Sequence, residues 1–121
     1  MDIRGVHHVS INVTDLDETL AFYRDVLGLP VLERPNDDIS VAGAWLGCPD
    51  GRQIHLLLGK PAPNVGQHFA FQVGDVAATA TDLAASGVKV SSPSTIRGVC
   101  IQAFCTDPSG NLVEFNQRLG N

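Results

Sequence analysis

The chain has few basic and aromatic side chains and no long apolar run. Of its 121 residues, 8 are Lys or Arg against 13 Asp or Glu, the formal net charge is -5, and 6% are aromatic. Without a basic run there is no electrostatic footprint for a phosphate backbone, so we expect no nucleic-acid partner. The apolar runs are far too short to cross a bilayer, and we likewise expect no membrane partner.

Cysteine is also scarce. Of three cysteines, Cys100 and Cys105 lie five residues apart on one predicted strand, so their side chains point to opposite faces and cannot form a disulfide there. The N-terminal stretch MDIRGVHH has neither the basic nor the apolar region of a signal peptide. Together these features predict reduced thiols and a cytoplasmic location. The length and the 44% hydrophobic content predict a single domain over 1–121.

An internal repeat organises the chain. His8 and His68 each open a segment of alternating polar and apolar residues that leads to an Asp, a helical pattern and a Gly. The same spacing of about 60 residues places PDGRQIH, which ends at His55, over PSGNLVE, which ends at Glu114. A repeat of this length indicates two copies of one supersecondary unit. We assign module one to 6–58, a linker to 59–67 and module two to 68–117.

Each module is predicted to contain a strand, a helix and three further strands. The period-2 alternation of Val9, Ile11 and Val13 with polar residues indicates the first strand. Asp15 or Thr14 can cap the helix that follows, and apolar residues at helical spacing continue it to a Gly. In module two the pattern predicts a helix near 75 to 86, strands near 88 to 91 and 97 to 105, and a last strand at NLVEFN.

Strand parity singles out four side chains that can bind a metal. Side chains alternate between the two faces of a strand, so the less apolar faces carry His8 and His55 in module one and His68 and Glu114 in module two. If the modules pair about a pseudo-twofold axis, these four side chains converge. Three imidazoles and one carboxylate suit one divalent ion of Zn, Ni, Co, Mn or Fe and leave positions open for a ligand. The alternative is that each is a solvated surface residue.

Two stretches carry a family resemblance. HVSINVTDLDETLAFYRDVLGLPVLERP and DPSGNLVEF resemble the vicinal oxygen chelate superfamily, which includes glyoxalase I, extradiol dioxygenases, fosfomycin-resistance transferases, methylmalonyl-CoA epimerase and bleomycin-binding proteins. The resemblance implies an α+β fold of two βαβββ modules forming cupped mixed sheets. It also implies a divalent metal chelated by neighbouring oxygens of a small-molecule substrate, and a homodimer with shared sites.

The resemblance also assigns roles to individual residues. His8 matches the ligand of the first strand, His68 the ligand that opens the second module, and Glu114 the carboxylate ligand of the last strand. His55 falls where glyoxalase I has Glu and the epimerase has Gln, so it binds the metal or stands beside it. Positions that hold glutathione in bacterial glyoxalase I are occupied here by Asn12 and Gly59. The adjacent His7, on the opposite face, is interpreted as a packing residue.

The resulting hypothesis is a metal-dependent lyase or isomerase of glyoxalase type. Glu114 is the expected proton carrier, with His55 as the second catalytic candidate. The alternatives are an Fe(II) dioxygenase built on His8, His68 and Glu114, which has Phe104 where extradiol enzymes use a tyrosine, and a non-catalytic ligand- or antibiotic-binding dimer. The candidate residues of the substrate pocket are Ser10, Asn12, Trp45, Leu57, Phe104 and Leu112.

Overall fold

The computed structural model describes residues 1–120. The chain divides into two compact units, Met1–Ala62 and Pro63–Asn121, and the division falls within the predicted linker. Each unit contains one four-stranded mixed sheet with its own helix. The predicted α+β class and the order of strand, helix and three strands are confirmed in both units.

The first unit has a sheet of order β1-β4-β3-β2, in which β1 is parallel to β4 and the other neighbours are antiparallel. A short π-helical segment follows α1, and a 3-10 turn lies between β2 and β3. The elements are β1 His8–Val13, α1 Leu16–Ala21, the π segment Phe22–Val26, β2 Val31–Leu32, the 3-10 turn Asn36–Asp38, β3 Gly43–Gly47 and β4 Gln53–Leu58.

The second unit repeats this topology with the order β5-β8-β7-β6, and β5 is parallel to β8. The elements are β5 Phe69–Gln72, α2 Val76–Ala85, β6 Ser94–Ile96, β7 Cys100–Thr106 and β8 Leu112–Arg118. His68 lies immediately before β5. The same strand order in both units agrees with a duplicated module.

Both helices begin at an aspartate. The Asp15 carboxylate accepts a hydrogen bond from the backbone N–H of Glu18, and that of Asp75 accepts one from Ala78. These bonds satisfy backbone donors that have no partner within the helix. Of the two caps that the sequence allowed for α1, the structure has Asp15.

Each helix packs on the apolar face of its own sheet. In the first unit α1 contacts β3 and β4, and Val13, Leu46 and Leu56 are fully buried. In the second, α2 contacts β7 and β8, and Val113 and Phe115 are buried. The opposite face of each sheet carries the candidate ligands, as the alternation predicted.

One predicted strand is wrong, and one predicted helix differs in type. No strand forms at 88 to 91. The Ser91 backbone N–H donates to the Phe104 carbonyl, as it would in a strand. The Phe104 N–H, however, donates to the Ser91 hydroxyl, where a strand would provide a backbone carbonyl. The strand here is β6, joined to β7 by a tight turn at Arg97 and Gly98, with Gly98 at φ +75. The helix predicted in module one does continue to Gly28, but its second half is the π segment, where the Leu27 N–H bonds to the Phe22 carbonyl.

Candidate functional site

One row of side chains crosses the face of the first sheet that lies opposite α1. Strand register aligns Ser10 on β1 with His55 on β4, and His55 with Trp45 on β3. Residues in register project from the same face, so the alignment places the His55 imidazole beside the Trp45 indole. The tertiary pairing of three strands thereby brings together side chains that are distant in sequence.

His55 is the middle layer of an aromatic stack. Its ring lies 4.0 Å from the His8 ring with an interplanar angle of 13°, and 4.4 Å from the Trp45 ring with an angle of 11°. The side chain is buried, with 8% of its surface exposed. Both faces of the His55 imidazole are therefore covered by aromatic rings.

Hydrogen bonds engage one nitrogen of each stacked histidine. The side-chain amide oxygen Oε1 of Gln53 lies 2.8 Å from His55 Nε2, so this nitrogen donates its proton to Gln53. His8 Nδ1 lies 2.9 Å from Nδ1 of His7. His7 is exposed and contacts His8 edge-on, so its predicted role as a packing residue is wrong.

The environment of His55 favours its neutral form. Burial lowers the pKa of His55 below its ordinary value, and the charges of His8, His7 and Arg34 lower it further. A neutral imidazole is the form that can accept a proton or bind a metal.

The second unit holds the other two candidate ligands in direct contact. His68 Nε2 lies 2.9 Å from Glu114 Oε1, and Glu114 is buried with 7% of its surface exposed. The second polar atom of each side chain is also hydrogen-bonded. His68 Nδ1 donates to the Gly66 carbonyl at 2.8 Å, and the Asn116 amide donates to Glu114 Oε2 at 2.7 Å. The reading of Glu114 as a solvated surface carboxylate does not fit this burial.

These contacts favour the protonated form of His68. The hydrogen bond to Gly66 raises the pKa of His68 above its ordinary value, and the bond to Glu114 and its negative charge raise it further. Both ring nitrogens face acceptors, an arrangement that favours the doubly protonated ring in the metal-free pair. The second unit thus pairs a histidine with a carboxylate, whereas the first stacks His55 between two aromatic rings.

The His68 and Glu114 pair suits a divalent metal. Two ligands of one ion, each bonded at about 2.0–2.2 Å, lie about 3 Å apart, which matches the separation of His68 Nε2 and Glu114 Oε1. The Gly66 carbonyl orients the ring as outer partners of metal-bound histidines do. Within residues 1–120, no group of three or more His, Cys, Asp or Glu side chains is arranged to hold an ion.

The candidate pocket residues lie around the two pairs. In the first unit Ser10 and Trp45 flank His55, while Asn12 and Leu57 are in register with each other. The Asn12 amide donates to the Lys60 carbonyl at 3.2 Å.

In the second unit, Phe104 is in register with Glu114 and contacts the His68 ring edge-on at 5.5 Å. Leu112 is half-buried on the Glu114 face of β8. Thus each pair of candidate ligands has an aromatic neighbour from the adjacent antiparallel strand.

Sequence reasoning missed the groups that orient the ligands. Gln53 and Asn116 each lie two residues from a candidate ligand on the same strand face, and that parity was a usable signal. The Gly66 carbonyl gave no such signal, because it belongs to an irregular segment. Arg34 was missed as well; it donates to Asn36 Oδ1 and the Val41 carbonyl, each at 2.6 Å.

Comparison with known proteins agrees with this fold. Residues 5–115 match the family described as the Glyoxalase/Bleomycin resistance protein/Dioxygenase superfamily. The chain belongs to this superfamily, as the sequence resemblance indicated. In the part of the chain that the structure describes, no helix has the length and apolar character needed to cross a membrane.

Three similar proteins illustrate the range of the family. Lactoylglutathione lyase from Haemophilus influenzae is 32% identical over 119 residues, which cover 89% of this chain and 88% of the relative. A glyoxalase family structure from Bacillus anthracis has a TM-score of 0.85 at 26% identity, covering 98% of each chain. The antibiotic-binding protein TnmS3 from a Streptomyces species has a TM-score of 0.73 at 29% identity, also covering 98% of each chain.

Proposed function

We propose that this protein is a divalent-metal-dependent enzyme of glyoxalase type that moves a proton on a small, oxygen-rich substrate. The observation that carries the proposal is the part-buried contact between His68 Nε2 and Glu114 Oε1, in which the other polar atom of each side chain also makes a hydrogen bond. An orienting partner for every ligand is characteristic of metal sites. The similarity to a lactoylglutathione lyase supports the reaction class.

We assign the metal to His8, His68 and Glu114, with His55 as a fourth ligand or beside them. Each unit supplies two of these four side chains, which is too few for a complete set. A full site therefore needs a first module and a second module, and we propose that a homodimer with shared sites provides both. We also propose a cytoplasmic location.

The bound ion would polarise two neighbouring oxygens of the substrate and favour loss of a proton from one of the carbon atoms that carry them. The Glu114 carboxylate is the group we assign to accept that proton, because it is buried and its two oxygens face different partners. His55, neutral and shielded from water, is the second candidate. Trp45 and Phe104 offer flat apolar surfaces to the substrate.

Glutathione is not part of this proposal. Asn12 stands where bacterial glyoxalase I has a glutathione-binding arginine, and its amide already donates to the Lys60 carbonyl. Gly59 occupies the other position that binds glutathione in bacterial glyoxalase I, and it has no side chain with which to make that contact. The substrate class is therefore kept to small molecules with vicinal oxygens.

A second candidate is an Fe(II) oxygenase. His8, His68 and Glu114 together make two histidines and one carboxylate, the donor set of non-haem Fe(II) oxygenases. Phe104 takes the position of the tyrosine that extradiol enzymes use. The absence of that hydroxyl argues against cleavage of an aromatic ring as the reaction.

Metal content and reaction type test these proposals. The protein should be purified without an affinity tag, analysed for bound metal, and then reconstituted with Zn²⁺, Ni²⁺, Co²⁺, Mn²⁺ or Fe²⁺. Reconstituted protein should be assayed with 2-oxoaldehyde adducts, catechols and acyl-CoA thioesters. Turnover without oxygen consumption supports the lyase or isomerase, whereas oxygen consumption supports the oxygenase. Stoichiometric ligand binding with no metal affinity would leave a binding protein such as TnmS3 as the better comparison.

Light scattering at micromolar concentration tests the dimer. We expect twice the mass of the 12.8 kDa chain. A protein that is only monomeric, with and without metal, would remove the version of the site that is shared between chains.

A further inference from the structure

The aromatic stack of the first unit bears on how His55 serves the proposed metal site. We propose that His55 is not a metal ligand but a positioning residue, which holds the His8 ring so that His8 alone binds the ion from the first module. This inference rests on the proposed function, because it concerns the ligand set of that metal. It narrows the set to His8, His68 and Glu114.

The orientation of the two rings prevents them from binding one ion together. A histidine binds a metal through a nitrogen lone pair that lies in the plane of its ring, at about 2.0–2.1 Å. The His8 and His55 rings are stacked 4.0 Å apart and inclined by only 13°. Two planes so nearly parallel meet far beyond bonding distance. One ion therefore cannot lie in both ring planes while the stack is intact.

His55 is also held in place by the residues that it contacts. Trp45 and His8 cover its two faces, and its Nε2 donates to Gln53 Oε1. Turning His55 toward an ion through Nε2 would break the bond to Gln53 and open the stack. Because the residue is buried, no water would replace the lost partners.

His8 depends on its neighbours for the orientation of its ring. This side chain is exposed, so nothing but its neighbours restricts its ring. His55 covers one face of the ring, and the His7 Nδ1 contact engages its Nδ1. Nε2 of His8 makes no hydrogen bond within the described residues and is left as the ligating atom. A ring fixed in this way loses less conformational freedom when it binds an ion.

Three variants separate a positioning role from a ligand role. His55→Phe keeps a flat ring in the stack but has no nitrogen, His55→Ala removes the ring, and His8→Phe removes a proposed ligand. We would titrate each protein with Co²⁺ against a competing chelator. We expect His55→Phe to keep its affinity within about threefold, and His55→Ala to be weaker by about tenfold, the size of effect that outer partners of metal ligands have. His8→Phe should lose more than either.

Two further readouts do not depend on activity. The visible spectrum of bound Co²⁺ reports the ligand set, and it should be the same in His55→Phe as in the parent. In the metal-free proteins, NMR should show the His8 ring protons shifted in His55→Ala, because the stacked ring is gone. Thermal unfolding of each variant shows that the comparison is made on folded protein.

The possible failures are distinct. If the parent binds Co²⁺ and His55→Phe is as weak as His8→Phe, or its spectrum changes, His55 is a ligand and this inference is overturned while the metal site stands. A parent protein that binds no Co²⁺ overturns the proposed function and this inference together.

Discussion

The two units share one topology but hold their candidate ligands by different forces. In the first, the His55 ring is stacked between the His8 ring and the Trp45 ring. In the second, the exposed His68 contacts the buried Glu114, and each side chain makes one further hydrogen bond, to the Gly66 carbonyl and from the Asn116 amide respectively. Stacking fixes a ring plane, whereas hydrogen bonds fix individual atoms.

This difference has a consequence for function. The His68 and Glu114 atoms already face each other at a separation that suits two ligands of one ion. In the proposed site, the stack leaves only the His8 ring in position to bind the ion. We therefore propose that the two copies of the module contribute differently to this site, the second as a ligand pair already in contact and the first as a single ligand supported by its neighbour.

The largest expected effect follows from changing the second pair. In Glu114→Gln the amide keeps the shape but loses the charge that balances a divalent ion, so metal affinity should fall on the order of tenfold or more. Turnover at saturating metal should fall further, because an amide cannot accept the proton. Calorimetry and steady-state kinetics measure the two effects.

The two measurements on Glu114→Gln can disagree in an informative way. Unchanged affinity, with a stability change below about 0.5 kcal/mol, would make the carboxylate a bystander. Weakened affinity with normal saturated turnover would keep Glu114 as a ligand and move the base role to His55.

Removing the tether of Glu114 should have a smaller effect. Asn116→Asp replaces the donating amide with a carboxylate 2.7 Å from Glu114 Oε2, and we expect metal affinity to fall by about tenfold, with Asn116→Ala losing less. Gln102→Ala is the matched control, because Gln102 is in register with Asn116 on the same face but makes no bond to Glu114. Equal losses in both positions would show a general effect of the strand rather than of the tether.

Acid should weaken metal binding through His68. The pKa of His68 is raised above the ordinary value of about 6.5, so the metal must displace a proton already at a pH above that value. Metal affinity should therefore fall as the pH is lowered through this raised pKa. Titrations with Zn²⁺ across pH 6 to 8.5, in buffers of different ionisation enthalpy, measure the number of protons released. An affinity independent of pH over this range would remove His68 from the ligand set.

The smallest effect is a contrast in the metal-free stability of the two units. His68 has a raised pKa, so its contribution is fully present below about pH 6.5 and is lost as the pH rises through the folded value. His55 has a lowered pKa, so folding loses stability as the pH falls from about 6.5 through the folded value. In urea unfolding at several pH values, His55→Phe should be less sensitive to acid than the parent, and His68→Gln more sensitive.

If the free energy of unfolding changed with pH by the same amount in both variants, the opposite pKa shifts of His55 and His68 would be contradicted. The measurement needs no metal, so it tests the environments of the two pairs separately from the proposed function.

Strand parity predicted which side chains share a face, and it did so for a local reason. The alternation in HVSINV and NLVEFN reflects the pleat of a single strand, so the faces of His8 and Glu114 could be assigned from sequence. The helix caps at Asp15 and Asp75 are equally local, because a cap involves residues only three positions apart. The strand near 88 to 91 was mispredicted, since a serine hydroxyl there competes with the backbone for the Phe104 N–H.

The sequence by itself therefore determined the repeat, the order of the elements, the family and the identity of the four candidate ligands. Tertiary structure decided how those ligands are held. The stack of His8, His55 and Trp45 exists because β4 pairs in register with β1 on one side and β3 on the other. The tether of His68 comes from a carbonyl in the irregular segment before β5. Such contacts depend on register and on the path of the backbone between distant residues, which no local pattern specifies.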